Sequence, residues 1–147
     1  MADAVGLTAS VIAIAALAYQ STKTLYELID GIVNAPKQLK ALSEDLDIVN
    51  QLLASIKAAM EGTSDGKLSE GLKKCLEDVK PSMLGCEKAC DEFAEKLSKI
   101  TRHSSSDRTR FDDRLKLQFQ EKEILAFKYR IGSYKSTLSI ALGLATL

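Results

Sequence analysis

The side chains best suited to nucleophilic or metal chemistry are three thiols and one imidazole, Cys75, Cys86, Cys90 and His103. Cys86 and Cys90 are four apart, so on a helix their sulfurs share a face, and a metal pair is conceivable with only His103 to complete a soft site. The competing reading makes all three small buried hydrophobes of a reduced intracellular chain, because an odd, sparse set builds no disulfide framework. His103 falls in T-R-H-S-S-S-D-R-T at 101–109, a polar stretch without an apolar residue, and reads as an exposed loop histidine. There is no GxGxxG, Walker loop, GxSxG or HExxH. Nothing points to acid–base catalysis, so no enzyme activity, cofactor or metal is expected.

A second group of residues could act by charge. The chain has 20 basic and 20 acidic side chains, which argues against a general nucleic-acid binder. The balance is uneven along the chain. Residues 1–101 hold 11 basic and 15 acidic groups, and residues 102–147 hold 9 and 5. Arg102, Arg108, Arg110, Arg114 and Lys116 cluster at the polar loop and the start of the last segment. Such a cluster can attract anionic lipid heads, at about 1 kcal/mol per residue near the surface. It can equally serve as partner to the acidic surface of the other helices or simply keep the chain in solution.

The elements that must carry these groups are helical. A chain of 147 residues, 46% apolar and without tryptophan, fits one domain, 1–147, whose core needs no metal or disulfide. Residues 4–22 carry no charge, and nineteen residues at about 1.5 Å each make a helix of roughly 28 Å. Three readings compete. A signal peptide has its Ala16-Leu17-Ala18 triplet but lacks a basic n-region and carries Asp3. A permanent transmembrane span would want Leu and Phe where this segment has Ala, Thr and Ser. The third reading is a helix buried in a bundle, able to leave it, with small residues at Ala2, Gly6 and Ser10 and at Ala9 and Ala13 allowing close approach. An ordinary core helix fits equally well.

Beyond Lys23 the stripe Leu25, Leu28, Ile29, Ile32 carries this helix to about Val33, before Asn34-Ala35-Pro36. Leu39, Leu42, Leu46, Val49, Leu53, Ile56 and Met60 then step by three and four without a miss, a seam read as bundle packing in preference to a solitary coiled coil. Gly62 and T-S-D-G at 63–66 end that helix. A third stripe, Leu68, Leu72, Cys75, Val79, Met83, Cys86, Cys90, Phe93, Leu97, Ile100, keeps register across Pro81 and predicts either one kinked helix or two broken near Lys80. The last helix uses Ile124, Phe127, Ile131, Tyr134, Leu138, Ala141 and Ala145, and residues 136–147 are uncharged. The fold class is all-α, a bundle of four to five helices with a long second helix.

Three stretches also carry a resemblance: D-A-V-G-L-T-A-S-V-I-A-I-A-A-L-A at the start, Leu25-Tyr26-Glu27-Leu28-Ile29-Asp30 with A-P-K-Q-L-K-A-L-S-E-D-L, and R-L-K-L-Q-F-Q-E-K-E-I-L with Y-K-S-T-L-S-I-A-L at the end. Together they resemble the HeLo-like fungal N-terminal domain, which heads STAND (NOD-like receptor) proteins and occurs in amyloid-controlled cell-death executioners. The resemblance spans essentially the whole chain and is most specific at Lys122-Glu123-Ile124 and Tyr134-Lys135-Ser136-Thr137-Leu138. It implies a bundle similar to necroptosis executioners and a membrane-permeabilising effector of regulated cell death. Oligomerisation would release the N-terminal helix into the plasma membrane. The inserting segment is then Ala4 to Tyr19, with Val5, Gly6, Leu7, Val11, Ile12, Ile14 and Leu17 as its working residues.

The resemblance further implies anionic plasma-membrane lipids and copies of the same chain as partners. An upstream receptor would act through an amyloid motif or fused domain outside this sequence, and the chain is expected to be an isolated domain of a longer architecture. Localisation would be cytoplasmic at rest and plasma-membrane when activated. The alternative is a soluble helical interaction module of a STAND receptor. In a resting bundle Ile12, Ile14 and Leu17 should be buried.

Overall fold

The computed structural model describes residues 6–32, 35–103 and 121–146. Four helices make up the described chain: α1 (Leu7–Asp30), α2 (Lys37–Glu61), α3 (Glu70–His103) and α4 (Glu121–Ala145), with a 3-10 turn at Asp65–Lys67 between α2 and α3. Each of α1 and α4 packs on both α2 and α3, so α1 and α4 lie across one diagonal of a square bundle and α2 and α3 across the other. Asp65, just past the end of α2, touches the start of α1, so these two helices run antiparallel. Lys96 near the end of α3 pairs with Glu123 near the start of α4 at 3.1 Å, which sets α4 antiparallel to α3.

The all-α bundle expected from periodicity is what the chain forms. Every residue of the α2 seam, from Leu39 to Met60, is buried. Burying such side chains stabilises by about 1.5–3 kcal/mol each, which makes this seam the backbone of the core. Pro36 opens α2 as its N-cap, its carbonyl accepting from Leu39 and Lys40 N–H at 3.0 and 3.1 Å. Gly62 closes it. On α3, Val79, Met83, Cys86, Cys90, Phe93, Leu97 and Ile100 are buried with Leu76, while Leu72 and Cys75 are half-buried. Phe93 stacks on Phe127 of α4 with ring centroids 4.3 Å apart. A Cβ on Gly85 would meet the Tyr134 hydroxyl at 3.0 Å, so the glycine makes room for α4.

Two boundaries differ from the sequence expectation, and an open choice is resolved. Helix α1 ends at Asp30 rather than near Val33, because the chain is capped at Gly31, whose N–H donates to the Glu27 carbonyl, and the following Ile32 N–H donates to the Ile29 carbonyl. Of the two readings across Pro81, the chain takes the single helix: α3 runs unbroken for 34 residues, longer than the 25-residue α2. Pro81 lies on the exposed side between buried Val79 and Met83, and the buried stripe to either side of it holds the register. The polar stretch expected to be a loop from Thr101 is helical to His103, and 104–109 fall outside the described residues.

Candidate functional site

Helix α1 buries small side chains. Its innermost positions are Thr8, Val11, Ala15, Ala18, Ser21 and Thr22, followed by Leu25 and Ile29. Small residues at the contact let α1 approach α2 and α3 closely, and they leave the larger Leu7, Ile12 and Ile14 half-buried at its margins. The outward positions Ala9, Ala13, Leu17 and Gln20 are exposed, Leu17 at 54%. The expectation that Ile12, Ile14 and Leu17 are all buried is therefore corrected: the close seating of Ala15 and Ala18 turns Leu17 to the opposite side of the helix. On the α2 side a cleft of about 330 Å³ opens between Ala16, Tyr19 and Gln20 and Ala54, Lys57 and Glu61.

Among the described residues, two polar contacts join α1 to its surroundings. The first is at its start. A helix leaves its first N–H groups unbonded, and the N-cap residue of α1 is Gly6, which has no side chain to cap them. The cap comes from 58 residues away. Asp65, in the turn between α2 and α3, accepts Leu7 N–H on Oδ2 at 3.1 Å and Thr8 N–H on Oδ1 at 2.8 Å, and the Thr8 hydroxyl also donates to Oδ1. A Cβ on Gly6 would overlap Asp65 Oδ2, so the absence of a side chain there is a condition of the contact. The Thr8 hydroxyl first, then the Thr8 N–H, hold the Asp65 carboxyl below its ordinary value; the Leu7 N–H and the Lys73 ammonium add to this, against partial desolvation. The N-terminal end of the helix dipole favours the same ionised form.

The second contact lies three turns on. Asn50 of α2 donates from Nδ2 to the Tyr19 carbonyl at 3.0 Å and to the Thr22 hydroxyl oxygen at 2.8 Å, and Thr22 in turn donates to the Tyr19 carbonyl. Among the described residues no ion pair ties α1 to another helix. Helix α4, by contrast, is tied to α2 by Lys135–Asp45 at 3.4 Å and to α3 by Lys96–Glu123.

Of the residues proposed to insert, Gly6, Leu7, Val11, Ile12, Ile14 and Leu17 all lie on or at the cap of α1, but they do not form one face. Val11 is fully buried and Leu17 points away from it. Val5 lies outside the described residues, as do Arg108, Arg110, Arg114 and Lys116 of the basic cluster; the backbone of Arg102 is in the last turn of α3. Cys86 and Cys90 are buried, and the Cys90 thiol is pushed up by its hydrogen bond with Cys86 and by burial, which keeps it protonated and unreactive. Among the described residues no cluster of three or more His, Cys, Asp or Glu is placed to hold a metal ion.

Asp65 and Asn50 were not singled out by sequence reasoning. The T-S-D-G stretch signals only the end of α2. The one available hint was that α1 starts at a glycine and has no acidic residue in its first turn, so its cap had to come from elsewhere.

Among the described residues, fold and site together define an all-helical bundle of four helices whose first helix is capped by a distant carboxylate. The chain belongs to the PigL_N family, described as "Pigment biosynthesis cluster protein PigL N-terminal", which it matches over residues 2–147. No curated protein and no solved structure matches the chain.

Proposed function

We propose that this domain is a membrane-permeabilising effector in which oligomerisation frees α1 from the bundle and the freed helices of several copies gather in anionic plasma membrane. The observation that carries the reading is that α1 has no charged side chain on any face from Leu7 to Thr22, including the face turned to water. The outward faces of α2 and α3 are charged, with Lys40, Glu44, Asp47, Lys74, Glu77 and Asp78 exposed, as a bundle in water requires. The outward Ala9, Ala13 and Leu17 serve no such purpose, but cost little to move into lipid. The HeLo-like resemblance supports the same reading and supplies the upstream STAND receptor as a partner. No catalytic step, cofactor or nucleic acid enters it.

No helix among the described residues is long and apolar enough to cross a membrane. Sixteen uncharged residues reach about 24 Å, short of a hydrocarbon layer of about 30 Å. The freed helix is therefore read as acting in an oligomer, where Thr8 and Ser10 hydroxyls bond across copies and the bilayer thins locally, rather than as a lone span.

Dye release from anionic liposomes tests this. The informative variant carries Ala13→Glu and Leu17→Glu, both at exposed positions, whereas a charge at Val11 would disrupt the core. Release by the wild type and not by the equally folded variant is the expected result. Absence of release by either, even when a fused assembly tag forces oligomers, overturns it.

A second reading, a helix-docking interaction module, is favoured by the outer face of α4. Leu125, Tyr129 and Ile140 are 53, 85 and 65% exposed along one stripe of that helix. The family's description, which refers to a pigment biosynthesis cluster, suits an accessory binding module as well. That reading predicts partner binding without lipid disruption, lost on Tyr129→Lys with Ile140→Lys.

A further inference from the structure

We infer that Asp65 is the latch of α1: its carboxylate holds residues 7–18 against the bundle, and when that contact is broken this segment opens about a hinge at Tyr19–Thr22. The inference concerns the bundle alone and stands whether or not the opened helix enters lipid.

Three features of the structure carry it. First, the contact joins the first turn of α1 to a short connection and not to another helix. The 3-10 turn of Asp65–Lys67 has no buried residue, so the carboxylate is presented from the surface and can be withdrawn without opening the core. Second, α1 is clasped at only two described points. Between Asp65 at Leu7–Thr8 and Asn50 at Tyr19–Thr22, apolar packing alone holds it among the described residues, with small side chains innermost and the large ones half-buried. Beyond the second clasp α1 is anchored by fully buried Leu25 and by Ile29 at 2% exposure, so an opening that starts at Leu7 stops there. Third, the latch is demanding on both sides: Gly6 is the residue that lets the carboxylate approach, and Thr8 supplies both a backbone and a side-chain donor.

An arrangement of this kind makes local opening a distinct event from unfolding. The free energy that separates the closed and open states is set by one capping contact and a thin packing layer, so residues 7–18 are the low-stability end of an otherwise well-packed bundle.

Hydrogen exchange by mass spectrometry on the full chain tests the latch. In Asp65→Ala, peptides within 7–18 should exchange about tenfold faster, the loss expected for a missing helix cap, while peptides from 23–30, α2 and α3 stay protected. Gly6→Ala attacks the same contact from the other side, leaves the carboxylate in place, and should give the same local pattern. Thr8→Val removes the hydroxyl donor alone and should give a smaller acceleration. Unchanged exchange at 7–18 in both Asp65→Ala and Gly6→Ala overturns the latch. So does acceleration spread evenly over all four helices, which would mark Asp65 as a contributor to global stability only. Should Asp65→Ala fail to fold, Gly6→Ala and Thr8→Val decide alone, by whether the acceleration is confined to 7–18.

Discussion

At the scale of single residues, the seating of the start of α1 rests on one carboxylate. Asp65 acts through charge and geometry, and its protonation has a defined sign. Its carboxyl ordinarily titrates near 3.8 and is lowered in the fold, so the stabilisation it gives is complete above that value and is lost as the pH falls through the lower folded value. The charged neighbour that favours the ionised form is Lys73 of α3; α1 offers none from Leu7 to Thr22. The difference in thermal midpoint between wild type and Asp65→Asn should thus be largest near neutral pH and should close as the pH falls through the lowered folded value. A gap that persists in acid would mean that the amide disturbs the turn by shape and that charge is irrelevant. This residue was invisible in the sequence for a physical reason. A cap normally stands beside the helix it serves, and here it arrives through tertiary structure, so the Asp-Gly pair carries only its local meaning, the end of α2.

At the scale of elements, what was legible is what periodicity controls. The α2 seam repeats without interruption because a helix wedged between α1 and α4 must bury one continuous stripe, and Leu46→Ala within it should cost about 2–5 kcal/mol in urea unfolding. Leu17→Glu, on the exposed side of α1, should stay within about 0.5 kcal/mol in the same measurement. That contrast is what periodicity could not resolve for α1. Where almost every residue from Leu7 to Ala18 is small or apolar, no stripe stands out, and the choice of inward face falls to backbone approach: Ala15 and Ala18 go in, Leu17 goes out. The end of α3 was misplaced for the opposite reason, since T-R-H is polar all round and polarity alone does not stop a helix whose preceding turns are packed. Asn50 belongs to this scale as well. It bonds a backbone carbonyl and a buried hydroxyl of α1, and Asn50→Ala should lower global stability by about 1–2 kcal/mol while extending fast hydrogen exchange past Tyr19 into the second half of α1.

At the scale of the whole molecule, the question is whether opening of α1 and action on membranes are one process or two. If release proceeds from the opened bundle, the membrane activity of the resting protein is limited by the fraction of molecules in which residues 7–18 are free, and any change that raises that fraction raises activity in proportion until opening is no longer limiting. Asp65→Ala should then speed dye release by about the same tenfold factor by which it accelerates exchange at 7–18. Adding Ala13→Glu and Leu17→Glu to that variant should abolish release while leaving the fast exchange intact, because those side chains are exposed in the closed bundle and matter only where α1 meets lipid. The combination separates the two steps. Fast exchange without faster release would place the limiting barrier in assembly of copies, so that a fused assembly tag, and not the latch, would set the rate. Release that survives the two added charges would show that α1 is not the segment that enters lipid, and would turn attention to the other uncharged stretch, Ser136 to Thr146 at the end of α4, whose exposed Ile140 and Leu144 lie at the same end of the bundle as the start of α1.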